Sequence, residues 1–418
     1  MQLGDIGNAQ ALPLGRPLDG VRVLALEQMQ ALPWGTQLLA RLGADVVKIE
    51  HPRHGEAGRA AQPAIADPQG RPLGATFLRN NLNKRSVGID LKSAEGRALV
   101  RRLAPHYDVV CENFKPGALA ALGLDYASLS ADHPRLIYLS ISGFGATRSS
   151  PYRDWPAYAA VAEAMSGVYE QARLPGQPPV PNPVAGLGDT GTGLFGVIGV
   201  LAALHHRERI GRGQHIDIAM LDAMLAFGDF GPNAWSLGLR REPDQELVQP
   251  GIYQGFRARD GWFILQVIRE HQFERLAHLI AHAHWLDDER LRTRIGWARH
   301  LESIIRPGIE TWAATRSRTQ ACAELAAAGL AAGPCLHPSE LACDAHVLER
   351  DALVAVPRPN GDGEPVLVAG NPIKMSAVAD GPDRRMPWLG EHTDAVLQSD
   401  LGLDRAELAR LRAAGVIG

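Results

Sequence analysis

The sequence predicts an α/β fold with a doubly wound parallel sheet and a second, smaller domain, and three observations point to it. Short apolar runs such as Val21–Leu26 and Asp45–Glu50 alternate with helical patterns over the first third of the chain. The spacing between these runs leaves room for the crossover helix that parallel strands require. A shift towards Gly, Pro and charged residues around 229–250, and a Gly- and Pro-containing segment at 329–338, delimit a smaller α+β domain.

The first three elements form a βαβ unit. Val21–Leu26 predicts a strand, Thr36–Leu42 a helix that ends at Gly43, and Asp45–Glu50 a second strand parallel to the first. The pattern then repeats, with strands at Ser86–Asp90, Asp108–Glu112 and Arg135–Ser142 and a helix at Glu95–Leu103. Sheets of this kind bind ligands beyond the carboxyl ends of their strands.

The middle of the chain leads towards a single apolar helix. Residues 143–156 predict a loop and Ala157–Tyr169 a helix, whereas the prolines in 175–183 exclude regular structure there. An apolar, glycine-containing helix then runs through Leu194–Leu204. The remaining predicted elements are the strand His215–Ile218, the helix Met220–Gly228, the strand Trp262–Val267, the strand Val366–Val368 and the terminal helix Arg405–Ala414.

Charge, hydropathy and cysteine content narrow the class of protein. With 43 basic and 46 acidic side chains the formal charge is −3, which gives no indication of a nucleic-acid or anionic-membrane partner. The apolar run Leu194–Leu204 is expected to be too short to cross a bilayer, and residues 1–19 lack a signal-peptide pattern. Four cysteines without a CxxC pair favour reduced thiols over a disulfide framework or a zinc site. We therefore expect a cytoplasmic enzyme.

Asp189 is the candidate catalytic residue. It stands in the stretch Gly188–Gly193, among small residues at the start of the apolar helix. An aspartate in this position most often caps the helix by accepting backbone N–H bonds. Here the glycines let another molecule approach closely, and the N–H groups of the helix terminus can stabilise a developing oxyanion. The pattern favours a nucleophile that receives an acyl group from a thioester.

Three other motifs permit alternative functions. The sequence GTGLFG at 191–196 matches a dinucleotide fingerprint, with Asp217 at the distance of a ribose ligand, but a proline-rich segment rather than a strand precedes it. The three histidines of His278–His284 have metal-ligand spacing, yet no Cys or carboxylate stands in register, so solvent-facing histidines are favoured and no metal is expected. Lys84 and Arg85 lie between a helical stretch and a strand, where contact with a phosphate-bearing ligand and plain solvent exposure are both open.

Short motifs distributed over nearly the whole chain carry a family resemblance. They are, in order, LGADVVKIE at 42–50, NKRS at 83–86, ENFKPG at 112–117, SGFG at 142–145, the pair Gly188–Asp189, GRGQ at 211–214 and GNPIK at 370–374. In this order and spacing they resemble the family III CoA-transferases, which include the formyl-CoA:oxalate and carnitine-CoA transferases. The resemblance extends from Pro17 to Thr393.

The resemblance implies a fold and an assembly that periodicity does not show. Members of this family are obligate homodimers that resemble two interlocked rings. Each chain builds a Rossmann-like large domain from both of its ends, here 1–225 and 335–418, with a small domain at 226–334 inserted between them. Neither a nucleic acid nor a membrane is expected as a partner.

The resemblance also implies the roles of individual residues. Asp189 falls at the position of the catalytic aspartate, and Gln30 at that of a glutamine beside the reacting carbonyl. Positions that line the CoA site are matched by Lys84, Arg85, Asn113 and Phe114. Backbone N–H groups of the glycines after Asp189 are candidate oxyanion donors, and Gly191 is expected at the CoA site. CoA enters as an acyl-CoA substrate, and no permanently bound cofactor is expected.

The chain departs from the formyl-CoA enzymes at several positions. His51, Ala121 and Ser142 stand where those enzymes have basic residues that contact CoA. The glycine run that covers their active site has no counterpart before Trp262. A formyl-CoA:oxalate reaction is therefore disfavoured. Tyr158 stands about where the related acyl-CoA racemases have a histidine, which disfavours racemisation.

The expected reaction is transfer of CoA from succinyl-CoA or another short acyl-CoA to a carboxylic acid. A short dicarboxylate such as succinate, malate, citramalate or itaconate is favoured. Arg148 and Arg153, in the loop after the Ser142 strand, are candidate partners of the substrate carboxylate, although exposed loop arginines are common. The alternatives are an acyl-CoA racemase of the same fold and a non-catalytic CoA-binding protein. Incubation with succinyl-CoA and a panel of acids separates transfer from binding alone.

Overall fold

The computed structural model describes residues 1–184, 186–238, 249–361 and 363–418. The chain divides into two compact units. The large unit comprises Met1–Arg173, Gln177–Arg240 and Ala345–Gly418, and the small unit comprises Leu174–Gly176 and Arg241–Asp344. The predicted domain boundaries at 225/226 and 334/335 lie earlier in the chain than these divisions. Residues 239–248, within the predicted boundary region 229–250, lie outside the described residues.

Strands and helices alternate along the described chain. The strands are β1 (Arg22–Leu26), β2 (Asp45–Glu50), β3 (Ala64–Ala66), β4 (Pro72–Gly74), β5 (Arg85–Gly88), β6 (Val109–Glu112), β7 (Ile137–Ser142), β8 (His215–Ala219), β9 (Ile252–Ala258), β10 (Gly261–Val267), β11 (Ala331–Pro334), β12 (Leu353–Val356) and β13 (Val366–Ala369). The α-helices are α1 (Ala31–Arg41), α2 (Ala75–Asn80), α3 (Ala94–Leu103), α4 (Tyr126–Ser130), α5 (Ala159–Met165), α6 (Val168–Ala172), α7 (Leu187–Ile210), α8 (Met220–Phe227), α9 (Phe230–Ser236), α10 (Glu270–Leu279), α11 (Arg294–Arg299), α12 (Arg306–Ala313), α13 (Arg318–Ala327), α14 (Pro338–Leu341), α15 (Ala345–Glu349), α16 (Thr393–Leu401) and α17 (Arg405–Ala413). Short 3-10 helices lie at Ala9–Leu14, Ala57–Ala60, Ala104–His106, Ala120–Leu122, Ala283–Leu286 and Glu289–Leu291, and a π-helical turn at Leu301–Ile305.

Six parallel strands form the central sheet of the large unit, in the order β5-β2-β1-β6-β7-β8. Numbered along the chain within this sheet, the order is 3-2-1-4-5-6, the arrangement of a Rossmann fold. The predicted doubly wound parallel sheet is therefore confirmed. The strand order reverses between β1 and β6, and ligands of such sheets bind in the crevice at the carboxyl ends of the strands there.

Both faces of this sheet are covered, because parallel strands carry apolar residues on either side. Val23 of β1 packs on the face that carries α1 and α7, whereas Leu24 packs on the other face. The second face is closed by α3 and by the C-terminal helices α16 and α17, and Ile417 forms a β-bridge with Ile89. The end of the chain thus packs on a sheet that its beginning forms.

Helices α1 and α7 cross at close range on the first face. A Cβ on Gly193 of α7 would lie 2.5 Å from the carbonyl oxygen of Ala31, and a Cβ on Gly35 of α1 would lie 3.0 Å from that of Gly193. Glycine at both positions lets the two backbones approach this closely. The crossing brings the start of α1, which follows Gln30, beside the first turn of α7, which contains Asp189.

The small unit is built on a three-stranded antiparallel sheet, β11-β10-β9, with helices α10 to α13. Its core includes Phe273, whose ring stacks on Trp297 with the centroids 4.4 Å apart. The predicted strand Trp262–Val267 is confirmed as part of β10. The segment 329–338, predicted to delimit this domain, instead contains β11, a strand of its sheet.

Two helices differ from their predicted extents. The predicted helix Ala157–Tyr169 is divided into α5 and α6, because Gly167 adopts φ +87°, outside the helical region. Helix α1 begins before Pro33, since proline is tolerated in the first turn of a helix, where its missing N–H has no partner to lose. The N-cap residues of α1 and α5 are Gln30 and Tyr158, and both line one cavity.

Helix α7, Leu187–Ile210, is long and apolar enough to cross a bilayer when judged by length and composition alone. The expectation that this apolar segment is too short, which rested on the run Leu194–Leu204, is therefore wrong. Within the large unit α7 packs against α1, α5, β7 and β8. Core helices of soluble proteins pass the same test of length and composition.

Candidate active site

The loop that follows β1, residues 28–30, lies at the strand-order reversal and is held from two sides. Asn113, which follows β6, accepts a hydrogen bond from the backbone N–H of Gln28 and donates one to its carbonyl oxygen, both at 2.9 Å. Met29 adopts a left-handed backbone with φ 63°, and its N–H donates to Glu56 at 2.9 Å. These bonds fix the position of Gln30, the N-cap of α1.

A buried set of charges supports this loop. The side chain of Lys84 is fully buried, and its Nζ donates to Glu27 at 2.7 Å and to the carbonyl oxygen of Pro33 at 2.8 Å. Lys48 lies 3.4 Å from the same carboxylate. Burial alone would raise the pKa of Glu27, but Lys84 and Lys48 hold it below its usual value. Burial lowers the pKa of Lys84 to about 8 against the opposing effect of Glu27, so the pair stays ionised at neutral pH.

Asp189 is in the first turn of α7, and within the described residues its carboxylate accepts no hydrogen bond. A Cβ on Gly186 would overlap Gln30 Nε2 and lie 3.1 Å from Asp189 Oδ2, so the amide and the carboxylate meet at one backbone position. Gly186 has φ +84°, which favours glycine there. Arg79 donates a hydrogen bond to Gln30 Oε1. This bond engages the Gln30 oxygen, and the NH₂ group donates no hydrogen bond within the described residues.

A second carboxylate, Glu163 of α5, lies near Asp189 and is absent from the predicted site. Its buried side chain accepts the backbone N–H of Gly188 at 2.9 Å and the hydroxyl of Tyr169. Glu163 therefore satisfies a free N–H of the first turn of α7, the capping role considered for Asp189. Burial, and next the charge of Glu163, raise the pKa of Asp189 to about 6, and Arg79 opposes the shift. Asp189 is thus mostly ionised at pH ~7.

Asp189 and Gln30 line a cavity of about 290 Å³ at the carboxyl end of the parallel sheet. Other side chains on its walls are those of Asn113, Phe114, Lys115, Arg153, Trp155 and Tyr158. The structure therefore brings four of the predicted site residues together at one cavity: Asp189, Gln30, Asn113 and Phe114. A carboxylate without hydrogen bonds beside an oriented amide suits nucleophilic attack on a carbonyl carbon.

Comparison with known proteins shows which family this chain belongs to. The sequence profile of CoA-transferase family III matches residues 18–393, which is most of the chain. The chain belongs to CoA-transferase family III. The resemblance seen in the motifs is thereby confirmed.

Relatives of this family III transferase match nearly the whole chain. A succinate–glutarate CoA-transferase of Agrobacterium fabrum is 37% identical over 91% of this chain and 95% of its own length. The beta subunit of a succinyl-CoA–L-malate CoA-transferase of Chloroflexus aurantiacus is 34% identical over 96% of this chain and 98% of its own. The crystal structure of a CAIB/BAIF family protein from Brucella suis, 34% identical, covers 92% of this chain and all 100% of its own with a TM-score of 0.80.

Three residues expected at the CoA site of this family III transferase do not line the Asp189 cavity. Lys84 is enclosed in the buried charge set and supports the loop 28–30 instead. Arg85 pairs with Asp45, with Nε 2.9 Å from Oδ1, and lines a different cavity. A Cβ on Gly191 would overlap the ring of Phe227, so this glycine packs against α8.

The alternative motifs of the transferase have structural explanations. The sequence GTGLFG at 191–196 lies inside α7 and not at a strand-to-helix turn, so the dinucleotide fingerprint is wrong here. His282 Nδ1 lies 2.8 Å from the carbonyl oxygen of Ile280. Throughout the described ranges, no group of three or more His, Cys, Asp or Glu is placed to bind a metal. Of the two candidate loop arginines, Arg153 lines the Asp189 cavity and Arg148 does not.

The raised pKa of Asp189 gives the transferase a predicted pH dependence. Only the ionised carboxylate is a nucleophile, so kcat/KM for the acyl-CoA donor should fall towards tenfold per unit below about pH 6 and level off above it. Glu163→Gln removes the neighbouring negative charge, which lowers the pKa of Asp189. The fall of kcat/KM should therefore begin at a lower pH in this variant. Initial rates between about pH 4.5 and 8 measure both profiles.

Glu112→Gln is the control for this profile. Burial raises the pKa of Glu112 to about 7, but its side chain accepts the N–H of Phe114 at 2.8 Å and is not among the groups that shift the pKa of Asp189. If the fall of kcat/KM at low pH shifted in Glu112→Gln but not in Glu163→Gln, the assignment of this fall to Asp189 would be contradicted.

Proposed function

We propose that the chain transfers CoA from succinyl-CoA to a short dicarboxylic acid through an aspartyl-CoA thioester on Asp189. The observation that carries the proposal is the Asp189 carboxylate, which accepts no hydrogen bond within the described residues and meets the Gln30 amide in a cavity at the strand-order reversal. Two relatives, a succinate–glutarate and a succinyl-CoA–L-malate CoA-transferase, support the choice of substrates.

Asp189 begins the reaction by attacking the carbonyl carbon of the donor thioester. The carbon–sulfur bond breaks, CoA leaves as the thiolate, and the acyl group is held as a mixed anhydride with Asp189. The thiolate then attacks the Asp189 carbonyl carbon, which releases the donor acid and forms the aspartyl-CoA thioester. The acceptor carboxylate then attacks the carbonyl carbon of this thioester, which releases the CoA thiolate and forms a mixed anhydride of Asp189 and the acceptor. The thiolate attacks the acceptor acyl carbon of this anhydride, which gives the new acyl-CoA and free Asp189. Each bond broken is replaced by one of similar energy, so no ATP is consumed.

Gln30 is the proposed oxyanion donor of this reaction. Each addition to a carbonyl places negative charge on an oxygen beside Asp189, where Gln30 Nε2 lies. Arg79 holds the amide in this orientation, because rotation of the amide would present NH₂ to a guanidinium that can only donate. A donor that is already oriented stabilises the oxyanion without reorganisation during the reaction.

The CoA moiety is proposed to lie along the wall that carries Asn113 and Phe114. Its phosphate groups need cationic partners, and the basic residues found at three positions of the formyl-CoA enzymes are missing from this chain. Lys115 and Arg153 line the Asp189 cavity and form no ion pair within the described residues. These two side chains are our candidates for the missing phosphate contacts.

The proposal includes the interlocked homodimer that the family resemblance implies. Helices α7, α8 and α9 expose large apolar side chains in the single chain, namely Leu194, Ile198, Leu201, Phe227, Phe230 and Trp235. Several exposed large apolar side chains on consecutive helices favour burial against a second copy. Light scattering on the purified protein at micromolar concentration should give about twice the chain mass of 45.1 kDa. The mass of a single chain would contradict the dimer.

The test of function is incubation of the purified protein with succinyl-CoA and a panel of acids, with CoA esters read by mass spectrometry. Malate, glutarate, citramalate, butyrate and oxalate form the panel. We expect a new acyl-CoA with dicarboxylic acceptors and an equal amount of free succinate. CoA bound without turnover would favour the non-catalytic alternative. Loss of configuration in a chiral 2-methylacyl-CoA, without transfer, would favour the racemase.

A further inference from the structure

A second cavity, of about 590 Å³, adjoins the Asp189 cavity at Gln30, which lines both. Thr190, the neighbour of Asp189, lines the second cavity as well. Apolar side chains form much of its wall, including Trp34 of α1 and Leu367 of β13. The space with the apolar wall is therefore separated from the Asp189 cavity by no more than the Gln30 side chain and its neighbours.

Four cationic side chains from the described residues line this second cavity, and two of them are already paired. Arg41 is buried and lies 2.9 Å from Asp383, and Lys374 is paired as well. Arg79 and Arg350 form no ion pair within the described part of the chain. Two guanidinium groups that form no ion pair at one cavity favour an anionic ligand, because guanidinium matches the geometry of a carboxylate.

Asn80 adds a third group to this cavity. Its side chain is 1% exposed and lines the cavity, and its Nδ2 has no hydrogen-bond partner among the described residues. Buried donors without partners are uncommon in folded proteins and are costly. An acceptor oxygen of a bound ligand would satisfy this amide.

We infer that the second cavity binds the distal carboxylate of the dicarboxylic substrate, with Arg79 and Arg350 as its cationic partners and Asn80 as a further donor. This inference rests on the proposed function, which places the reacting carboxyl group at Asp189. The apolar wall suits the methylene chain between the two ends. The substrate class is therefore an aliphatic α,ω-dicarboxylic acid and its CoA thioester.

Arg79 and Arg350 differ in their contact with Gln30, so their replacements test different parts of the inference. Arg79 also donates to Gln30, so its removal disturbs the proposed oxyanion donor as well as the cavity. Among the described residues no hydrogen bond joins Arg350 to Gln30. Replacement of Arg350 therefore tests the cavity while leaving the orientation of the amide intact.

The test compares glutarate with pentanoate, an acid of the same chain length that lacks the second carboxylate. Succinyl-CoA is the donor, and kcat/KM for the acceptor is measured for the wild type, Arg79→Met and Arg350→Met. Effects on the donor half of the reaction cancel in the ratio of the two acceptors. We expect the glutarate-to-pentanoate ratio to fall roughly ten- to hundred-fold in each variant, as for a lost charged hydrogen bond. Arg79→Lys should recover part of the ratio.

Arg101→Met is the matched control. Arg101 is an exposed arginine that donates one hydrogen bond, to the carbonyl oxygen of Gly123, and it lines neither cavity. Its replacement should leave the ratio unchanged. Equal losses with both acids in Arg79→Met and Arg350→Met would overturn the inference, since a structural role lowers both activities alike. A fall in the ratio with Arg153→Met alone would also overturn it, because the distal carboxylate would then lie in the Asp189 cavity.

The same experiment distinguishes failure of the proposed function from failure of this inference. A wild-type protein that transfers CoA to no acid would overturn the proposed function itself. A wild-type protein that transfers CoA, with a ratio indifferent to Arg79 and Arg350, would overturn only the assignment of the second cavity.

Discussion

Replacement of Asp189 by asparagine should lower kcat for CoA transfer by at least ~10⁴-fold, the loss typical of enzymes deprived of a covalent nucleophile. The asparagine amide does not attack a thioester, so neither the mixed anhydride nor the aspartyl-CoA thioester forms. The side chain keeps its shape, and the cavity and the Gln30 amide stay in place. Steady-state rates with succinyl-CoA and the preferred acceptor measure the loss.

The fold should survive this substitution. The Asp189 carboxylate accepts no hydrogen bond within the described residues, and Glu163 accepts the N–H of Gly188 at 2.9 Å instead. Asp189→Asn should therefore not lower the free energy of unfolding by more than ~1 kcal/mol, and at neutral pH it should raise it, because burial and Glu163 disfavour the ionised carboxylate that is removed; urea denaturation measures the change. Asp222→Asn is the matched control, because Asp222 is an exposed aspartate in the first turn of α8. A folded Asp189→Asn variant with wild-type activity would contradict a nucleophilic role.

Replacement of Gln30 by alanine should lower kcat by roughly 10²- to 10³-fold, the usual cost of one oxyanion donor. The amide Nε2 lies beside Asp189, where the charge of each tetrahedral intermediate develops, and the bond from Arg79 keeps it there. KM for the acyl-CoA should change much less than kcat, because the donor acts mainly on the intermediate. Gln30→Glu should be at least as impaired, since it places a negative charge where the oxyanion forms.

Gln69→Ala is the control for this prediction. Gln69 is an exposed glutamine whose Oε1 also accepts a hydrogen bond from an arginine, Arg71, at 3.2 Å, and it lines neither cavity. Wild-type kcat is expected for this variant. A Gln30→Ala enzyme with unchanged kcat and a raised KM would assign Gln30 to substrate binding and not to the oxyanion.

The strands of the parallel sheet were the most predictable part of the fold, because a strand buried on both faces is a continuous apolar run. The predicted strand Asp45–Glu50 coincides with β2 at both ends. The segment 329–338 shows where such patterns fail. Ala331–Pro334 contains no β-branched or aromatic residue, and it forms a strand because β10 offers it a partner.

The candidate site could be predicted only where motifs carried it. Asp189 was predicted from the small residues around it at a helix start, and Gln30 from the family resemblance. Their proximity arises from the close crossing of α1 and α7, which no local pattern reveals. Glu163 and Arg79 escaped prediction for the same reason. A single glutamate in the alanine-rich stretch AAVAEAM is typical of a solvent-facing position, and the small residues around it were the one signal of a tightly packed helix.

The basic pair at the start of β5, Lys84 and Arg85, shows a further limit of sequence patterns. Neighbouring residues of an extended chain point in opposite directions. Lys84 accordingly turns into the protein to Glu27, while Arg85 turns to Asp45. Sequence alone left ligand contact and solvent exposure open for both and did not suggest burial, because the buried carboxylate that pairs with Lys84 lies in a distant part of the chain.

Trapping of the acyl-enzyme tests the role of Asp189 most directly. The protein is incubated with succinyl-CoA in the absence of acceptor, treated with hydroxylamine, digested and analysed by peptide mass spectrometry. We expect a hydroxamate on Asp189 that is absent without acyl-CoA and absent from Asp189→Asn. An unmodified Asp189 in a sample that actively turns over acyl-CoA, or a hydroxamate on another carboxylate, would contradict the aspartyl-CoA mechanism.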